Sequence, residues 1–282
     1  MALFIINSRG EKELFSLQKV ERSARNSGVS SRAAREIAKK IQAQAYNGIS
    51  TEEIFQKVKQ FLSGQHPAFG IRFNLKQAMK SLGPAGFNFE KYAGAILGRM
   101  GYGVKINQFV SGKCLKKYEI DFLAEKDKVL RIGECKYHHQ SGLTVDQEVA
   151  LANYARFLDI QNSSSAQQRK NNGWQIKSIL MTNARFSDRA IKYSQCVGVE
   201  LWGWKYPVNK GLEVFIDQNK LYPITILPSF QKQWADIFNQ RNIILAGDVP
   251  RLNLERISRE SGIGLGVFNK MAAEAKMLLE TK

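Results

Sequence analysis

The chain has 282 residues, 44% hydrophobic and 24% charged, with 42 Lys and Arg against 25 Asp and Glu for a formal charge of +17. That composition is of a globular rather than a disordered chain and allows more than one compact domain, and the surplus of charge points to an anionic partner, of which nucleic acid is the commonest. Three widely spaced cysteines with no CxxC pair indicate neither a disulfide framework nor a thiolate zinc site.

Residues 1–82 begin with two short strands, LFIIN and ELF, around the turn SRGEK. Four helices are predicted after them. Ser16 caps the first and Gly28 stops it, and the second runs from Ser30 or Ser31 toward Gly48. The third opens with Ser50 and Glu53 in capping-box spacing, and the fourth covers roughly 72–82. This segment carries 14 basic and 6 acidic residues, or +8.

Gly83-Pro84-Ala85-Gly86 is the clearest boundary. Beyond it a helix over about 88–100 presents Phe89, Tyr92, Ala93, Ile96 and Leu97 as one apolar stripe. The strand GVKINQFV follows, then the hairpin EIDFLAEKDKVLRIGECKY (119–137) turning at 125–128. A helix over about 146–158, an exposed polar loop NSSSAQQRKNNG, the strand WQIKSILMTN, a helix capped by Ser187 and stopped by Gly198, and the strand VELWGW complete the region. The order predicts an α/β layer with a mixed sheet over 83–224, with a charge of +7. Trp202 and Trp204 are expected to share a strand face in the core. Residues 225–282 are predicted to be helical, with a turn at Gly262-Ile263-Gly264. Three domains are therefore expected: 1–82, 83–224 and 225–282.

The hairpin carries the chemistry. Residues i and i+2 on a strand share a face, so Glu134 and Lys136 point the same way, while Asp121 on the preceding strand folds back across from or diagonal to Glu134. Two carboxylates held close repel unless a cation sits between them. A hard divalent ion, Mg²⁺ or Mn²⁺, satisfies them and keeps waters able to attack a phosphodiester. Lys136 is placed to hold that water or to neutralise transition-state charge, and Glu90 on the preceding helix is a fourth member. A surface hairpin with a salt-bridged Glu and Lys fits the same letters. His138 and His139 are adjacent on a strand and cannot both face one metal. Gln147 starts the helix after them and is able to bond a water. Arg156 ends that helix.

The stretch FNFEKYAGAILGRMGYGVKINQFVSGKCLKKYEIDFLAEKDKVLRIGECKYHHQSG resembles the Mrr-like branch of the PD-(D/E)XK restriction-endonuclease superfamily, as does TNARFSDRAIKYSQCVGVELWGWKYP. The resemblance implies Glu90, Asp121, Glu134 and Lys136 as catalytic residues, with Asp121, Glu134 and Glu90 as metal ligands and Glu119-Ile120-Asp121 where the family carries Pro-Asp. FIINSRGEKELFSLQKVERSARNSGV, ISTEEIFQKV and RFNLKQAMKSLGP resemble an ATP-cone, a regulatory domain for ATP or dATP. Asn7 and Ser8 stand where that family has Lys-Arg, with Arg9 and Lys19 as the compensating basic residues. ISRESGIGLGVFNKMAAEAKML resembles a helix-hairpin-helix, implying contact with DNA phosphates through Gly262, Gly264 and Gly266.

The function expected is a Mg²⁺-dependent DNA endonuclease, in restriction or defence against foreign DNA. Alternatives are a junction-resolving nuclease and a non-catalytic, nucleotide-responsive DNA-binding regulator. DNA is the expected partner, and a homodimer is expected because cutting two strands takes two centres. No run is long or apolar enough to span a membrane, and MALFIINSRGEKELF lacks a basic region followed by an apolar one. A cytoplasmic location is expected.

Overall fold

The computed structural model describes residues 3–7, 9–82, 89–140 and 142–281. The predicted Gly83–Gly86 boundary and Ser8 lie outside them. In chain order come β1 (Phe4–Ile6), β2 (Lys12–Leu14), α1 (Leu17–Arg25), α2 (Ser31–Gln44), β3 (Ile49–Ser50), α3 (Thr51–Gln65), α4 (Pro67–Phe73) and α5 (Leu75–Lys80). Next are α6 (Phe89–Arg99), β4 (Gly103–Val110), β5 (Tyr118–Lys126), β6 (Val129–Lys136), β7 (Thr144–Val145), α7 (Gln147–Gln161), α8 (Ser164–Asn171), β8 (Gln175–Thr182), β9 (Arg185–Phe186), α9 (Asp188–Val197) and β10 (Glu200–Trp202). The chain continues with α10 (Leu212–Asn219), α11 (Ala235–Gln240), α12 (Leu254–Ser261) and α13 (Leu265–Glu280), with short 3₁₀ turns among them.

The protein is a multidomain α/β chain that forms two compact units, not three. Unit 1 joins Met1–Met79 with Ile224–Gln231 and Ala246–Lys282, and unit 2 joins Lys80–Pro223 with Lys232–Leu245. The expected separate C-terminal domain is corrected here for a physical reason. The apolar face of α13, with Phe268, Met271, Ala275 and Leu278, is buried inside unit 1. Arg72 near the end of α4 is only 5% exposed and donates to the carbonyls of Leu278 and Thr281. A buried cation there satisfies carbonyls that the end of α13 leaves unpaired and opposes the negative end of its dipole.

Within unit 1, β2-β1-β3 form a small sheet, β1 antiparallel to β2 and parallel to β3. Val20, Ala24, Ile37, Ile41, Val58 and Leu62 bury the inner faces of α1 to α3. Ser16, Ser30 and Ser50 each accept the N–H three residues on, which fixes where these helices begin. The single helix expected over 72–82 is instead α4 and α5, because His66 and Pro67 start a new turn early and Asn74 interrupts it. β3 was not anticipated, being two residues long.

Within unit 2 the sheet order is β10-β8-β6-β5-β4, with β4, β5 and β6 antiparallel and β6, β8 and β10 parallel. The β5–β6 turn needs only Asp127 and Lys128, both at positive φ (51° and 58°), the backbone of a type I′ hairpin. Paired residues share a face and successive residues alternate. Glu134 pairs with Leu180, which packs with Ala150 of α7 and Ala190 of α9. Ile106 and Phe122 belong to the other face, where Gly94 of α6 meets the Ile106 side chain. Helices thus cover both faces, as a largely buried mixed sheet requires.

Two polar readings change. The stretch expected to be an exposed loop contains α8, capped by Ser163 and anchored by the buried Ala166. One anchoring alanine leaves no apolar stripe to read. Trp204 lies beyond β10 in a turn, while Trp202 packs edge-on against Phe215.

Candidate active site

The sheet comes apart around one residue. A two-residue turn makes Lys126–Val129 a hydrogen-bonded pair, so the alternating pairs are 124–131, 122–133 and then 120–135. Regular pairing of β5 with β6 stops at Phe122–Gly133. Cys135 N–H turns instead to the Asp121 side chain, Oδ2 at 2.6 Å. On the other side the β4–β5 ladder omits Asn107–Asp121, where Asn107 takes φ 52° and Gln108 Nε2 donates to the Ile106 carbonyl at 2.8 Å. Asp121 is thus released from regular pairing on both flanks, a distortion of the kind that re-aims side chains next to functional sites.

Continuing the register places Glu134 across from Asp121 on one face, and Lys136 follows on that face. β6 stays paired with β8 through Lys136–Thr182, so this strand is a fixed rail. Gly133 is required beneath it, since a Cβ there would collide with the Phe122 ring. Beyond the strand, Asn183 clasps the His138 backbone, accepting its N–H and donating to its carbonyl, each at 2.8 Å.

The electrostatics of the pair are unfavourable as it stands. Burial raises the Glu134 pKa above its ordinary value and Asp121 raises it further, against the lowering effect of Arg156 and Lys136. Burial also raises Asp121, and the Cys135 N–H and Arg156 only partly offset this. Glu90 is raised by burial, then by Asp121, Glu119 and Glu134. Cys135, partly buried beside these acids, has its thiol pushed well up by burial and by the charge of Asp121, Glu90 and Glu134. For Asp121 and Glu134, burial outweighs the cations and the N–H group that favour their charged forms.

Asp121, Glu134 and Lys136 are therefore brought together. Glu90 comes from α6, which lies over the other face, and is near enough for the charges of Asp121, Glu119 and Glu134 to raise its pKa. Among the described residues no three His, Cys, Asp or Glu side chains lie close enough to hold one metal ion. The expected ligand set Asp121, Glu134 and Glu90 is thus not preassembled around one point, and the facing pair is Asp121 and Glu134. Two hard oxygen donors with raised pKa values still suit Mg²⁺ or Mn²⁺, which are held by one or two carboxylates plus waters and substrate phosphate.

Arg156 is the residue to which the sequence assigned no role. Its guanidinium pairs with Glu134 from α7. Only its position three turns into a helix after the ExK strand hinted at this, and that spacing is not diagnostic without the fold.

Arg9 and Lys19 both act on one acid, Glu13. Lys19 pairs with Glu13 at 3.5 Å, and Asn7 Nδ2 also donates to Glu13 at 2.6 Å. The Glu13 pKa is lowered first by Asn7, with Lys19 and Arg9 adding to the effect against burial. Asn7 Oδ1 accepts the N–H groups of Arg9 and Glu11, closing the turn. A nucleotide phosphate placed at Arg9 and Lys19 would have to compete with Glu13. Gly262, Gly264 and Gly266 border open space while Ile263 between them is buried, so the α12–α13 turn is anchored by one side chain and bare outside.

No protein-family model matches the chain. It is similar to a protein of Archaeoglobus fulgidus described only as uncharacterized, 35% identical over 184 residues that make up 65% of this chain and 98% of that one. It is also similar to the crystal structure of AF1548, a protein of unknown function, with a TM-score of 0.56 and 32% identity over 68% of this chain and 97% of that one. No helix among the described residues is long and apolar enough to cross a membrane.

Proposed function

We propose that this chain, which belongs to the same family as the uncharacterized Archaeoglobus fulgidus protein, is a divalent-metal-dependent DNA endonuclease of the PD-(D/E)XK kind. The observation that carries the reading is the release of Asp121 from both neighbouring strands, opposite Glu134 and beside Lys136. A hairpin built only for stability gains nothing from setting two half-buried acids face to face. Mg²⁺ or Mn²⁺, when bound, neutralises them, acidifies a water and screens the phosphate.

The chain's own groups have separable tasks. Asp121 and Glu134 supply oxygen ligands. The Lys136 ammonium, exposed on the same face, hydrogen-bonds the attacking water or a non-bridging phosphate oxygen and offsets the charge that builds there. Water adds to phosphorus, the bond to the 3′ oxygen breaks, and a 5′-phosphate and a 3′-hydroxyl remain. Glu90, with its raised pKa, holds a proton more readily than an ordinary glutamate. Arg156 favours the ionised form of Glu134 against the effect of burial. The net charge of +17 favours a polyanionic substrate.

The test is supercoiled plasmid incubated with and without Mg²⁺ or Mn²⁺. Nicking or linearisation by the wild type that vanishes in chelator and in Lys136→Ala is the expected result. A Lys136→Ala protein that cuts at the wild-type rate overturns the assignment.

A further inference from the structure

Between β4 and β5, residues 111–117 read SGKCLKK, and every one except Gly112 is exposed. The segment has no apolar anchor: Leu115 is itself 56% exposed. It is nonetheless tied down by Asp159 of α7. Cys114 N–H donates to Asp159 Oδ1 at 2.7 Å, Leu115 N–H to Oδ2 at 3.1 Å and Lys113 N–H to the Asp159 carbonyl at 3.0 Å. Gly112 N–H closes on the Leu115 carbonyl at 2.7 Å, and Ser111 Oγ donates to Lys116 O at 2.9 Å. Gly112 is obligatory, because a Cβ there would collide with the Asp159 carboxylate. Burial alone would raise the Asp159 pKa, but the Leu115 and Cys114 N–H groups outweigh it and hold it at about 2.

The charge of this segment is uncompensated. Around the same sheet Arg131 and Lys177 pair with Glu200, Arg156 with Glu134, and Arg169 with Glu125. Among the described residues no carboxylate pairs with Lys113, Lys116 or Lys117. The carboxylate nearest the segment is spent on backbone amides. Lys117 stands over the ring of Phe109, 4.0 Å from its centre, which holds one ammonium in place without neutralising it. A merely solvated run of lysines needs neither the clamp nor the ring. The segment also leads straight into β5, with Tyr118 only three residues, or about 10 Å, from Asp121.

We propose that Ser111–Lys117 is a preorganised phosphate clamp, in which Lys113, Lys116 and Lys117 hold the DNA backbone beside the Asp121–Glu134 pair and Asp159 fixes the loop that carries them. The identity of the polyanion as DNA rests on the nuclease reading. Fixing the loop before binding removes the ordering cost that a flexible lysine run would meet on each encounter.

The test measures binding of a fluorescein-labelled duplex of about 24 base pairs by anisotropy, in chelator, across a series of NaCl concentrations, with plasmid cleavage followed in parallel. In Lys113→Ala/Lys116→Ala/Lys117→Ala the slope of log affinity against log salt should become shallower by about 2–3, since each phosphate contact contributes about 0.9. Gly112→Ala wedges the clamp without changing charge, so affinity should fall while the slope keeps its wild-type value. A thermal melt of each variant checks folding. A wild-type slope in the triple variant, or wild-type affinity in Gly112→Ala, or no duplex binding by the wild type, overturns the clamp. If the wild type cleaves plasmid while the triple variant keeps the wild-type slope, the clamp falls and the nuclease reading stands. If the slope drops but no protein cleaves, the clamp stands and the nuclease reading falls.

Discussion

The Asp121 carboxylate takes the Cys135 N–H at 2.6 Å, the backbone group that a continued hairpin ladder would have given to the Ile120 carbonyl. A side chain thus replaces a main-chain partner at the point where the two strands part. The exchange leaves the strand-bound N–H satisfied and keeps Asp121 beside Glu134, whose pKa it raises.

Asp121→Asn should abolish cleavage yet raise the melting temperature of unit 2. The amide oxygen still accepts from Cys135, while a half-buried charge facing Glu134 is lost. A gain of about 2–4 °C corresponds to ~1 kcal/mol in a domain of this size. A lowered melting temperature by calorimetry would mean that the carboxylate is structurally compensated.

The same acids set a pH dependence. Raised carboxyl pKa values mean that the native state binds protons more readily than the unfolded chain. Glu90, Asp121 and Glu134 therefore destabilise the fold at neutral pH, and this penalty is relieved as pH falls through their raised values toward the ordinary carboxylate range. Added Mg²⁺ or Mn²⁺ should raise the melting temperature at pH 8, and the increment should shrink with acidification, because the ligands must be ionised. Glu134→Gln should lose the increment. Thermal shift at a series of pH values reads both effects.

Arg156→Ala removes the cation that lowers the Glu134 pKa. The acid limb of the pH–rate profile should move to higher pH, with partial activity retained at pH 8–9. A profile that only drops in height would indicate that Arg156 acts on substrate instead.

Lys128 sits at φ 58° in the hairpin turn. Left-handed backbone costs a residue with a Cβ roughly 1 kcal/mol that glycine avoids. Lys128→Gly should stabilise unit 2 by about 0.5–1 kcal/mol, read from denaturant midpoints by tryptophan fluorescence. All four tryptophans, Trp174, Trp202, Trp204 and Trp234, lie in unit 2, so the signal reports that unit alone.

The sequence made the hairpin, its acids and the helix starts legible because each is a local pattern: alternation on strands, Ser before a helix, Gly198 at a helix end. What stayed hidden was non-local. The pairing of Arg156 with Glu134 depends on how α7 crosses the sheet, and no spacing encodes that. The side of the sheet on which Glu90 lies depends on Gly94 meeting Ile106, a contact between elements. α8 escaped notice because its burial is confined to Ala166, too little to show a period. The domain count failed because Arg72 and Leu278 are 206 residues apart, beyond any window of periodicity.

That separation has a consequence for biosynthesis. Unit 2 is complete once residue 245 has left the ribosome, whereas unit 1 lacks α12 and α13 until residues 246–282 follow. The helices of residues 1–79 must wait with the seat of α13 exposed while the whole sheet unit is made. Residues 1–79 are made before unit 2, yet their core closes only after it.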